Sequence, residues 1–190
     1  MRIADTYSHL NGLEHLLVHK RNVWAEIESV IAAVDGRGEL RPSPAAIKRE
    51  FSTAVKAQQW RGRRMTYWVA DNEYPLRPMV VSTAKAQKRV LEKAKLTAIK
   101  RGAKFDFVKN RTAVEVRLAA SALLSTQLFV NHHAFYMCDR IDVGIEIIPV
   151  QAMEDYLPPG FGLRDRDTRK VFSNRKEVPP VPLVLIAIAP

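Results

Sequence analysis

The chain has 190 residues, 47% of them hydrophobic, which is enough for one substantial core and excludes a disordered polar chain. Thirty Lys and Arg against 20 Asp and Glu leave a net charge of +10, which points to a polyanionic partner or to an ordinary basic protein and away from an acidic ligand-buffering role. The longest apolar run, 181–190, is too short for a membrane helix, and the single Cys138 excludes an intrachain disulfide and suits a reducing compartment. No signal-peptide-like run follows Arg2 and Asp5, so the expected location is the cytoplasm, with no membrane contact.

In chain order, the apolar positions Leu13, Leu16, Leu17, Val23, Trp24, Ile27, Val30, Ile31 and Val34 fall at helical spacing over 11–35, and Gly36 and Gly38 stop the run. Ser43 and Pro44 read as the cap and first position of a second helix that ends near Trp60. Residues 65–70, aromatic and β-branched, suit a strand, and Pro75 and Pro78 mark a loop. Residues 83–101 read as a basic helix with Val90, Leu91, Ala94, Ala98 and Ile99 toward the core. Its Lys85, Lys88, Arg89, Lys93 and Lys95 form a solvated face or follow a nucleic-acid backbone. Two strands, 105–108 and 112–118, flank a turn at 109–111. A mostly apolar helix over 121–139, a strand over 142–150, a short helix over 151–157 stopped by Pro158 and Pro159, and a last strand over 183–189 complete the chain. Strands that are apolar on both faces, set between helices, predict one α/β domain over 1–190 with a central mixed β-sheet flanked by helices.

The stretch KFDFVKNRTAVEVR carries the chemistry. Asp106 lies on its first strand and Glu115 on its second, and Arg117, two residues on, shares the face of Glu115. If the two runs pair, Asp106 comes near Glu115, and two carboxylates beside a cation suit a divalent metal and a phosphate. Lys104, two residues before Asp106, lies on the same face if the strand extends that far. The spacing alone equally fits a solvated strand face. The adjacent His132 and His133 diverge by about 100° on a helix, which suits structural or surface histidines rather than a metal site. Glu146, inside an apolar strand, faces a polar site or an edge and is not assigned to catalysis. Glu92 is explained by a salt bridge to Lys88 or Lys95.

The blocks FDFVKNRTAVEVR, LFVNHHAFYMCDRIDVGIEIIP and VPPVPLVLIAIAP, with the opening MRIADTYSHLNGLEHLLVHKRNVWAEIESVI, resemble the BglII-type restriction endonucleases of the PD-(D/E)XK nuclease superfamily, nearest to the BstYI-like members. The resemblance covers 1–34 and 105–190; residues 35–103 and the loop 158–178 are much less similar. It implies the PD-(D/E)XK fold and a type II site-specific deoxyribonuclease. Such an enzyme acts as a homodimer on double-stranded DNA at a palindrome with a GATC core, beside a cognate DNA methyltransferase. Asp106 and Glu115 fall on the two metal-ligand places, with Mg²⁺ the expected cofactor and Mn²⁺ its substitute. The third catalytic place departs from the pattern: Lys in the superfamily and Gln in the nearest relatives, it is Arg117 here. Arginine is planar and permanently charged, so it can clamp a phosphate and cannot act as a base. Lys104 stands where relatives carry a neutral polar residue and is a second source of positive charge.

The helix 121–139 maps to the family's dimer interface near the major groove, which makes Ser125, Gln127 and Asn131 either DNA contacts or surface residues. Arg164, Arg166 and Arg169 in the loop 158–178 read guanine edges or bind phosphates. Two other readings stay open at this point. One is a DNA-binding relative that has lost cleavage, with Arg117 as the sign of decay. The other is a basic α/β protein with another polyanionic ligand.

Overall fold

Six strands form one sheet in the order β1-β6-β5-β4-β3-β2 in a computed structural model that describes residues 1–34, 43–70, 83–118, 131–150, 153 and 180–190. The elements in chain order are β1 (Arg2–His9), α1 (Gly12–His19), α2 (Arg21–Ala33), α3 (Pro44–Ala57), β2 (Arg61–Ala70), α4 (Ala84–Lys93), β3 (Ala98–Lys109), β4 (Thr112–Val116), α5 (His133–Met137), β5 (Val143–Pro149) and β6 (Leu183–Ala189). β4, β5 and β6 run parallel in the middle, while β3 and β2 on one side and β1 on the other pair antiparallel. The sheet is therefore mixed, as the sequence predicts. Central strands buried on both faces must be apolar on both faces, and β5 and β6 are, with Glu146 the one exception in β5.

One face of the sheet carries the main core. Val114, Val116, Ile145, Ile147, Val184 and Ile186 meet Val23, Ile27 and Ile31 of α2 and Ile47, Phe51 and Val55 of α3. Each fully buried Ile or Phe there contributes about 1.5–3 kcal/mol of transfer free energy. Ser43 caps α3 as predicted, its hydroxyl accepting from Ala46 N at 3.1 Å, with Pro44 in the first turn. The opposite face is smaller: Ala103, Phe105 and Ala113 lie under Phe135 of α5 and Ile141.

Three elements differ from the sequence expectation. The helix over 11–35 is two helices, because Lys20 leaves helical geometry (φ −137°, ψ 41°) and sends its ammonium to Asn110 O at 2.6 Å and Asp142 Oδ2 at 2.8 Å. β1 has no counterpart in the prediction, since an edge strand of sequence RIADTYSH shows no apolar alternation to read. The basic helix stops at Lys93, with Lys95 left-handed (φ 55°), and Ala98 and Ile99 begin β3, paired with Ala70 and Val69. Cross-strand pairing with β2 outweighs the helical spacing of those two residues. Of the helix expected over 121–139, only its end is described, a helical turn at Asn131 and His132 leading into α5. The short helix over 151–157, apart from the buried Met153, lies outside the described residues. Among those residues no helix is long and apolar enough to cross a membrane.

Candidate active site

The site is built on the β3–β4 hairpin, and its far end is clamped from three sides. Asn110 and Arg111 turn the chain with φ of 46° and 57°. Lys109 Nζ donates to both Glu26 oxygens (2.6 and 2.7 Å) and to Gln58 O at 2.8 Å, while Trp60 Nε1 donates to Glu26 Oε2 at 2.8 Å. Arg111 Nε donates to Asp142 Oδ1 at 2.8 Å, and Asp142 N donates to Arg111 O at 2.7 Å, tying the turn to the start of β5. With the turn held, register follows: Val108 lies opposite Ala113 and Phe107 opposite Val114. There the pairing ends, and the next two residues are Asp106 and Glu115. On its other side Glu115 is directly opposite Glu146 in the parallel β4–β5 ladder. Three acidic residues thus stand on three adjacent strands.

β3 is also irregular at this point. Between Arg63↔Phe105 and Arg61↔Val108, β2 advances two residues and β3 three, a bulge that contains Asp106. Bulges bend a strand and re-aim a side chain. Lys104, on the near side of the bulge, is exposed and lies opposite Arg64. Among the described residues the cation on Asp106 is Lys48 of α3, whose Nζ is 2.6 Å from Oδ2, and not Lys104. The bulge puts Phe105 and Phe107 in different core clusters, Phe105 under Phe135 and Phe107 with α2 and α3.

Glu115 is buried, and its Oε2 has no hydrogen-bond partner. Burial, then the charges of Glu146 and Asp106, push its carboxyl up to about 7, against the opposing pull of Arg117 and Lys48. Asp106 Oδ2 is likewise buried and has no aligned hydrogen bond; Lys48 meets it as a charge, off the hydrogen-bond direction.

Arg117 does not point its fork into open space. Nε and Nη2 donate to Glu146 Oε2 and Oε1 at 2.8 and 3.3 Å, and His132 Nε2 lies 2.8 Å from Oε1. Glu146 and His132 are essentially inaccessible to solvent. The imidazole packs over β5 at Gly144, where a Cβ would fall 2.1 Å from Nδ1, so only glycine admits it. Phe105 covers the ring at 4.6 Å between centroids. Removing one partner from a buried ion pair of this kind typically costs about 3–5 kcal/mol, because the other charge is stranded.

The family model for restriction endonuclease BglII/BglIII matches residues 4–188. The chain belongs to that family. Its members are site-specific deoxyribonucleases. Solved structures agree in fold: BglII complexed with a DNA 16-mer matches with a TM-score of 0.62 at 14% identity, covering 100% of this chain and 79% of that one. Free BglII matches with a TM-score of 0.59 at 15% identity, covering 100% and 80%. No curated protein matches the chain.

Restriction endonucleases generally work with divalent metal ions, and the donors here fit one. Asp106 and Glu115 each offer a buried carboxylate oxygen without a hydrogen bond, and the raised proton affinity of Glu115 comes from burial first and then from the charges of Glu146 and Asp106. Among the described residues no three His, Cys, Asp or Glu side chains form a closed cage. A hard cation that keeps water and takes a phosphate oxygen does not need one.

Of the residues singled out from the sequence, Asp106, Glu115 and Arg117 come together, and Lys104 is exposed on β3 without an ion pair to Asp106 among the described residues. Asn131 is half-buried ahead of α5; Ser125, Gln127, Arg164, Arg166 and Arg169 lie outside the described residues. Glu92 pairs with Lys88 at 3.4 Å, one of the partners expected. The sequence points to a polar site or an edge for Glu146 and a structural role for His132 without joining them to Arg117, and it passes over Lys48. Glu146 did carry a signal, since a carboxylate in an otherwise apolar strand must be paired to be tolerated. Lys48 carried none: only tertiary packing brings α3 to β3.

Proposed function

We propose that this chain is a type II restriction endonuclease that uses Mg²⁺, with Mn²⁺ as a substitute, to cut both strands of DNA at a palindrome with a GATC core. The observation that carries the reading is the pair of carboxylates Asp106 and Glu115, each with a buried oxygen that accepts no hydrogen bond, at the centre of a restriction-endonuclease fold. Asp106 and Glu115 would hold the ion. When bound, a divalent ion offsets charge on the scissile phosphate and favours hydroxide over water. Hydrolysis then joins a water oxygen to phosphorus as one P–O ester bond breaks, and the leaving oxygen takes a proton. Glu146 and Arg117 act as the rigid wall of the site, neutralising each other beside Glu115. Double-stranded DNA as partner is supported by the net charge of +10 and by the DNA 16-mer held by BglII.

The GATC core and placement nearest the BstYI-like members rest on the resemblance carried by the sequence blocks at 1–31, 105–117, 128–149 and 178–190. A palindrome calls for a two-fold protein, and the segment 121–139 is the proposed seam of the homodimer. Such an enzyme works in the cytoplasm beside a methyltransferase that protects the same sites. Purified protein incubated with plasmid and Mg²⁺, Mn²⁺ or EDTA, with the ends mapped, tests the reading. Cuts confined to GATC-containing palindromes and dependent on metal support it; cuts at unrelated sequences overturn the specificity. A second reading, a DNA-binding relative that has lost cleavage, is favoured by one observation: the Arg117 fork is already occupied by Glu146. GATC-selective binding with no cutting in either metal would establish that reading instead.

A further inference from the structure

The third catalytic place cannot release its charge. Arg117 is held by Glu146, which is held in turn by His132, and turning the guanidinium toward a phosphate would strand a buried carboxylate. Lys104 is exposed opposite Arg64. Among the described residues, the cation paired with Asp106 comes from a different layer. Lys48 of α3 places its ammonium 2.6 Å from Asp106 Oδ2. The helix behind it is firmly seated, with Ile47, Phe51 and Val55 fully buried and Ser43 capping its start.

On the nuclease reading above, we infer that Lys48 is the mobile cation of this site: it neutralises Asp106 in the metal-free protein, yields that oxygen to a divalent ion, and carries its charge to the phosphate being cut. The ammonium is compact, with three donors on a flexible four-carbon stem, unlike a guanidinium fork. Its contact with Asp106 lacks hydrogen-bond alignment, so charge alone holds it there, and a doubly charged ion displaces it. The side chain is 48% exposed, which leaves it room to swing. Lys48 is thus both a competitor of the metal and a catalytic residue, and those two roles move in opposite directions when it is removed.

The test uses the full chain with Lys48→Met, Lys48→Arg and, as a control on the same helix, Lys56→Met, each checked by thermal melting. Mn²⁺ affinity without DNA is measured by electron paramagnetic resonance. Lys48→Met should bind Mn²⁺ about thirtyfold tighter, the effect of removing one unit charge about 4 Å from a divalent ion in a water-like medium. In cleavage, its kcat should fall about 100-fold, as when one transition-state donor is lost, while DNA affinity stays within about threefold. Lys48→Arg should retain part of kcat, and Lys56→Met should match the wild type in both assays. A merely structural lysine would leave Mn²⁺ affinity unchanged or weaken it, and that result overturns the inference, as does an unchanged kcat. If the wild type cuts nothing, the nuclease reading and the phosphate role fail together, and the Mn²⁺ measurement alone decides whether Lys48 guards the cation site.

Discussion

Replacing Glu115 by Gln should stabilise the metal-free protein, and do so mainly at high pH. Glu115 Oε2 is buried without a partner beside Glu146 and Asp106. Its carboxyl is pushed up to about 7 from the ordinary value of 4.5, so the folded protein holds the proton more tightly than the unfolded chain does. Ionising Glu115 therefore works against the fold: stability is lost as pH rises from about 4.5 through about 7 and stays lost above. That gap is worth about 3 kcal/mol at pH 8.5 and about 1 kcal/mol at pH 5. At 9% exposure, solvent screening removes little of it. Gln fills the same space, does not titrate and should escape the penalty. Urea denaturation of both proteins in EDTA at the two pH values measures the difference. Mg²⁺ should restore stability to the wild type at pH 8.5 and do far less for the variant. A Gln variant that is equally destabilised at both pH values would refute the argument, because the carboxyl would then be accepting a hydrogen bond rather than suffering repulsion.

Arg117→Met should destabilise by about 3–5 kcal/mol through stranding Glu146, and adding Glu146→Gln should restore more than half; chemical denaturation of the single and double variants measures both. Gly144→Ala places a methyl group 2.1 Å from His132 Nδ1 and 2.6 Å from Leu183 Cδ2, an overpacking worth about 1–3 kcal/mol. An unchanged melting temperature would mean that His132 does not sit over β5. Sedimentation should find a species near twice the 21.5 kDa chain mass, and a strict monomer both free and on DNA would remove the palindrome argument.

The core of the site was legible because its geometry is local. Asp106 and Glu115 flank a tight hairpin whose turn residues are next to one another in sequence, so their approach needs only the strands to pair. The α3 cap at Ser43 and Pro44 and the all-apolar β6 were readable for the same reason. What was hidden depends on tertiary contacts. The bulge at Asp106 shows only in the β2–β3 register, and Lys48 meets Asp106 only after α3 packs on the sheet. The turn of Arg117 toward Glu146 requires the parallel β4–β5 alignment, which no local pattern specifies. β1 was missed because an edge strand buries too little to need an apolar period.

One comparison, of the wild type with Glu115→Ala, tests the carboxylate site of β3 and β4 most directly. Both are incubated with DNA carrying GATC palindromes, with Mg²⁺ and with EDTA, and the products are mapped. The wild type should cut both strands at fixed positions in those sites only with Mg²⁺, and Glu115→Ala should bind the same DNA without cutting it. Cleavage by Glu115→Ala at the wild-type rate would contradict the account, because the carboxylates of β3 and β4 would then not be the catalytic centre.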